Sequence, residues 1–209
     1  MLACTIIQDE VRAAPDKGNF PILFIPPDLH LIPDKLREYL QDLIDRIDNV
    51  DAILMPMGRC GNGTIGLHSK TAAIILPKCG DCIDLMLSTE NLSAERPTHT
   101  YFLTAGWLRE KNAINREYEA TVEKYGREKA DMVMGMIYAN YRSFGFINTG
   151  TYDLASAREK IRPLAESVGV EIGEMEGKCS VLHKMMRLEF DDNFVIVPPG
   201  EIVGEAHFR

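Results

Sequence analysis

Short apolar runs alternate along this chain with amphipathic helical segments, which is the pattern of parallel βαβ units. Strands are predicted at 1–3, 20–25, 52–57, 72–76, 101–103, 144–147, 170–172 and 194–197. Helices are predicted at 5–14, 33–49, 83–87 and 156–168, with two more inside 115–141. The segment 33–49 is the clearest. Leu36, Leu40, Leu43, Ile44 and Ile47 repeat at helical spacing and form one apolar stripe. Pro33 suits its first turn, and Asp34 complements the helix dipole. Pro163 must kink or divide the helix at 156–168, and Gly169 caps it. No internal repeat, low-complexity tract or linker splits the chain. The expected architecture is therefore a single α/β domain over 1–209: a mostly parallel sheet with helices on both faces, Rossmann-like and doubly wound.

In such a sheet the carboxyl ends of the strands share one edge, where ligands bind. Cys4, His30, Cys60, Cys79, Cys82, Gly106-Trp107 and Asn148-Thr149-Gly150 each follow a predicted strand. Residues distant in sequence are thus expected to converge on one crevice. Composition narrows what that crevice serves. In 209 residues, 23 Lys and Arg face 31 Asp and Glu, a net charge of −8, with basic and acidic residues interleaved as in Arg109-Glu110-Lys111. Nucleic acid and anionic membranes are poor partners for such a surface. No apolar run reaches the ~18–20 residues of a membrane span. Asp9, Glu10 and Arg12 interrupt any secretory leader, so a cytoplasmic protein is expected. Five cysteines are too few and too scattered for a secreted disulfide scaffold. In a reduced compartment they are thiols, metal ligands or redox groups.

Thiolates suit zinc, Cu(I) and iron–sulfur clusters. Cys4 and Cys82 fall at predicted helix starts, where the dipole favours the thiolate. Cys60 opens Cys60-Gly61-Asn62-Gly63, a turn whose glycines permit positive φ and can aim N–H groups at cluster sulfides. Cys4, Cys60 and Cys82 could hold a [4Fe–4S] cubane with one iron left open, with Gly61, Asn62 and Gly63 lining it. Zinc is the competitor, using the local pair Cys79-x-x-Cys82 completed by His30, His68 or Cys179. The same pair could instead be a redox dithiol. Against all of these stands the ordinary role of cysteine as a small buried hydrophobe. Cys179, in the helical pattern of Leu182 and Met186, is read that way. His30 is retained as an acid–base group or a neighbour of the centre. Met132, Met134 and Met136 are read as core filling, and Glu174, Glu176, Glu189, Asp191 and Asp192 as solvated turns. No dinucleotide, P-loop or serine-hydrolase motif occurs.

Several spaced motifs together resemble one prokaryotic family, domain of unknown function 1638. They are Ala3-Cys4, Leu29-His30 with Pro33 and Leu36, Cys60-Gly61-Asn62-Gly63, Leu76-Pro77 followed by Asp81-Cys82-Ile83, residues 101–104 with Gly106-Trp107, and Val197-Pro198-Pro199-Gly200. The resemblance implies an anaerobic setting beside corrinoid-dependent methyltransferases, with a corrinoid protein or methyltransferase as partner. It also implies that Cys4, Cys60 and Cys82 recur. Where this chain has Gly80 the family pattern commonly has a histidine, and Cys79 is a departure, which favours the three-cysteine site with Cys79 as a spare ligand. The expected function is a metal-centre protein of anaerobic one-carbon or corrinoid methyl-transfer metabolism. The alternative is a non-catalytic accessory protein with structural or zinc-binding cysteines.

Overall fold

A computed structural model describes residues 1–92 and 96–208. In chain order its first elements are β1 (Leu2–Cys4), α1 (Gln8–Ala13), β2 (Leu23–Ile25), α2 (Pro33–Asp45), β3 (Ala52–Leu54), β4 (Ala73–Pro77) and α3 (Cys82–Leu87). Next come β5 (Thr100–Leu103), α4 (Ala105–Arg109), α5 (Ile114–Tyr125), α6 (Arg127–Ile137), β6 (Ser143–Asn148), α7 (Leu154–Val168) and β7 (Glu171–Glu176). The chain ends with α8 (Ser180–Met186) and β8 (Phe194–Val197). It forms two compact units, one from Met1–Ala94 with Lys178–Arg209 and one from Glu95–Gly177.

The first unit carries all five cysteines. β1 pairs in parallel with β2, which sets Cys4 opposite Ile25. β3 pairs in parallel with β4, and β8 lies antiparallel on the other side of β4. The stripe on α2 behaves as the spacing predicts: Leu36, Leu40 and Ile44 are buried in one core with Ile25, Met55, Met57, Leu76 and Val197. Burying each such side chain contributes roughly 1.5–3 kcal/mol. The helix stops at Asp45, short of 49, and Asn49 already takes a φ of 56°, a left-handed conformation that asparagine tolerates. Backbone pairing between β3 and β4 outlasts the named strand, since Met55 N–H donates to Ile75 O at 2.9 Å.

The second unit is a three-stranded parallel sheet, ordered β5-β6-β7, with α4 to α7 supplying its helices. Phe144, Phe146, Ile161, Leu164, Met134 and Tyr138 form its core. Tyr138 meets Phe144 edge to face at 5.4 Å, a favoured aromatic geometry.

The α/β class with mostly parallel pairing is as expected. The hydrogen-bonded ladders among the described residues, however, are three small sheets, and β8 runs antiparallel. Pro163 neither ends nor divides α7. It lies on the exposed face, where water can serve the carbonyl left without a donor, while Ala157, Ile161 and Leu164 anchor the opposite face. Glu174 and Glu176 lie in a strand and not in turns. Among the described residues β7 is the last strand of its sheet, where charged side chains such as its glutamates discourage edge-to-edge pairing. Of the three methionines on α6 only Met134 fills the core; Met132 and Met136 are 62% and 67% exposed.

Candidate metal centre

Cys4 ends β1 and precedes a single 3-10 turn, Thr5–Ile7. Cys60 is delivered by the continuation of β3. Here Gly58 runs against the backbone of residue 79 so closely that a Cβ on it would stand 2.3 Å from Cys79 O. Glycine is the one residue that permits this approach. Two hydrogen bonds lock it: Arg59 N–H donates to Cys79 O and Cys60 N–H to Gly80 O, each at 2.9 Å. The buried Thr64 hydroxyl donates to Gly58 O at 3.0 Å. Cys60, Gly61 and Asn62 then take φ of 45°, 65° and 74° in succession. Two non-glycine residues in left-handed backbone are a local strain that the surrounding contacts must hold. Arg59 contributes by donating to Asn62 Oδ1 from Nε at 3.2 Å and from its terminal guanidinium nitrogen at 2.7 Å.

The partner segment follows β4. The Cys79 thiol donates to Asp81 O at 3.3 Å. Asp81 caps α3 by accepting from Ile83 N–H at 2.8 Å and from Asp84 N–H at 3.4 Å, and Asp84 in turn accepts from Gly80 N–H at 2.8 Å. Cys82 is the first residue of that helix.

The predicted ligands feel one another electrostatically without being gathered around one point fit for a metal ion. Burial pushes the Cys82 thiol well above its ordinary pKa, and the neighbouring Cys4, Cys60, Asp81 and Cys79 add to the shift. The Cys60 thiol is pushed up to about 12, by burial first and then by Cys4 and Asp81, against a smaller pull from a backbone hydrogen bond of Gly58. Both residues are half-buried overall. The helix-start expectation of a ready thiolate at Cys82 is therefore overturned. Desolvation penalises the anion, and the Asp81 carboxylate occupies the N–H groups that would have favoured it. The Cys60 and Cys82 thiols are protonated at neutral pH, and among the described residues no three His, Cys, Asp or Glu side chains are set around a point fit for a metal ion. The donor set nonetheless suits a soft cation. Its mutual repulsion as thiolates is what a bound positive charge would relieve, with release of the thiol protons.

His30 sits in the 3-10 turn Pro27–Leu31, half-buried. Its Nε2 is buried without a hydrogen-bond partner, as is the hydroxyl of Thr5 beside Cys4. Burial lowers the His30 pKa, so the ring is neutral. His68 is held by its backbone, whose N–H donates to Gln41 Oε1 at 3.1 Å and which forms an isolated antiparallel bridge with Ile202, while its ring Nδ1 lies 3.4 Å from Gly66 O. Cys179 is buried at the start of α8, its thiol 3.6 Å from Met86 O. It is pushed up to about 12 by burial and then by Glu10. Gly106-Trp107 and Asn148-Thr149-Gly150 follow β5 and β6, strands of the second unit's own sheet. Two residues that shape the site carry signals the motif reading passed over. Gly58 stands at the end of an apolar run, and Asp81 stands one residue before a helix, the position of an N-cap.

The model of a family described as "Protein of unknown function (DUF1638)" matches residues 24–186. The match takes in Cys60, Cys79 and Cys82 and begins beyond Cys4. Neither a curated protein nor a solved structure matches the chain.

Proposed function

This chain belongs to that family of unknown function, and from that premise we propose that it holds a metal centre, a [4Fe–4S] cluster, on Cys4, Cys60 and Cys82. The reading is supported by the electrostatics of the set: Cys4 acts on both Cys60 and Cys82, and Cys60 on Cys82, beside the shift that burial imposes on each. A bound cluster supplies electron transfer or Lewis acidity. The chain's own part is to enclose the centre, to hold Cys60 in position through the Gly58 contact, and to present the Gly61-Asn62-Gly63 turn beside it. Parallel pairing of β1 with β2 and of β3 with β4 supports a Rossmann-like reading of this unit. The family resemblance supports a role in anaerobic one-carbon or corrinoid methyl-transfer metabolism, in the cytoplasm, with a corrinoid protein or methyltransferase as partner.

A second reading has its own support. Cys79 is buried and acts on Cys82, so this local pair could share a structural zinc, completed by His30, His68 or Cys179, in an accessory protein. Anaerobic reconstitution with ferrous iron and sulfide, followed by metal analysis, separates the two. The cluster reading expects a brown protein with about four irons and four sulfides per chain. It expects loss of that content on Cys4→Ser, Cys60→Ser or Cys82→Ser and retention in Cys179→Ser. A colourless, iron-free protein that takes up one zinc per chain refutes it.

A further inference from the structure

The geometry points to a binding site for a small organic carboxylate in the second unit, between α4 and α7, an inference that does not rest on the cysteine reading. β5 and β6 run parallel as neighbours. Ala105, which opens α4, and Asp153, which caps α7, therefore issue from the same edge of the sheet, beyond the carboxyl ends of the two strands. That edge is where open parallel sheets take their ligands. A cavity of about 180 Å³ lies there, between helices that pack on each other. Its volume is that of about six water molecules.

Two cations line this cavity from its two walls, Arg109 at the end of α4 and Lys160 in the second turn of α7. They are a local excess in a chain of net charge −8. The Asp153 carboxylate lines it too, so the lining carries 2 − 1 = +1, which a single negative charge neutralises. A doubly charged phosphate would leave a surplus. Arg109 offers the planar fork that pairs with a carboxylate through two parallel hydrogen bonds, and Lys160 a point charge. Ser156, one turn before Lys160 on the same face of α7, adds a neutral hydroxyl. The buried Leu108 and Ala157 complete the lining with apolar surface, which suits a short hydrocarbon tail. The loop that forms one wall is set without a ligand. The Tyr152 hydroxyl donates to Ile147 O at 2.5 Å, and Gly150 N–H donates to Asn148 Oδ1 at 3.0 Å. The Asn148 amide in turn donates to Glu174 Oε1 at 2.9 Å, and Asp153 Oδ1 accepts from Ser156 N–H at 3.2 Å. A wall ordered in advance spares the ligand that cost on binding.

The test titrates the ¹⁵N-labelled full chain with sodium butyrate at constant ionic strength and follows its amide resonances. Butyrate should give saturable shifts centred on residues 105–109 and 152–160. Acetate and inorganic phosphate should bind more weakly, and butylammonium should give no saturable shift. Arg109→Met and Lys160→Met should each weaken butyrate binding about tenfold, the worth of one charge-assisted hydrogen bond. Lys129→Met, on the exposed face of α6, should leave it unchanged. Arg109 and Lys160 are exposed, so both variants should fold, and unchanged amide resonances away from the site verify that they do. No saturation by about 100 mM butyrate, affinity unchanged in both variants, or equal binding of butylammonium overturns the site. Acetate binding as tightly as butyrate overturns the apolar tail, and phosphate binding more tightly than butyrate overturns the choice of a carboxylate.

Discussion

Replacing Gly58 by alanine would put a methyl group 2.3 Å from the carbonyl oxygen of Cys79 and 2.8 Å from both its carbonyl carbon and its Sγ. Two of these three contacts are with backbone, so no side-chain rotation relieves them. The segments must separate, and the hydrogen bonds from Arg59 N–H to Cys79 O and from Cys60 N–H to Gly80 O lengthen or break. Losing both costs about 1 kcal/mol each. Overpacking a buried position adds about 1–3 kcal/mol, so a total of about 3–5 kcal/mol is expected. With a urea m-value of about 2 kcal/mol/M, the midpoint should fall by roughly 1.5–2.5 M. The distribution of probes makes this measurable one unit at a time. All five cysteines lie in the first unit, and the single tryptophan, Trp107, lies in the second. Pulsed thiol labelling across a urea series reads the cysteine-bearing unit, and Trp107 fluorescence reads the other. A Gly58→Ala thiol-labelling midpoint within about 0.3 M of wild type would mean that the close approach does not exist as described, because that shift corresponds to well under 1 kcal/mol. The second unit offers the opposite experiment.

Gly135 lies inside α6 with no heavy atom within 4 Å of where a Cβ would stand. Gly135→Ala should therefore stabilise that unit by about 1 kcal/mol through helix propensity, raising the Trp107 midpoint; a lowered midpoint would contradict the open space. Alkali should weaken the cysteine-bearing unit in the metal-free, reduced protein. The Cys60 and Cys179 thiols are raised to about 12 in the fold, above the unfolded value near 8.5, so the native state holds protons that the unfolded chain has lost. That contribution is complete below pH ~8.5 and is lost as pH climbs toward about 12. Urea midpoints by thiol labelling should fall between pH ~8 and ~10, and a flat profile would count against the raised values.

Local periodicity made most of the elements legible. The spacing of Leu36, Leu40 and Ile44 sets the buried face of α2, and Pro33 and Gly169 mark a helix start and a helix end where expected. It also placed Cys4, Cys60 and Cys82 just beyond strands, because each follows an apolar run that must be buried. What periodicity could not decide is which strands pair. β8 joins β4 from more than a hundred residues away, and three ladders form where one sheet was expected. Such pairing depends on long-range packing that no local window contains. The protonation of the thiols was hidden for the same reason. A helix start argues for a thiolate, but Asp81 takes the N–H groups and burial disfavours the anion, and both facts exist only once the chain is folded. Met132, Met134 and Met136 show the same division. Sequence places all three on one helix, and only the tertiary structure turns Met134 into the core and leaves the other two in solvent. The residue types and spacing of the cysteine set were thus determined by the sequence. Its burial and its charge state were decided by packing, which sets the dielectric and the neighbours that each group meets.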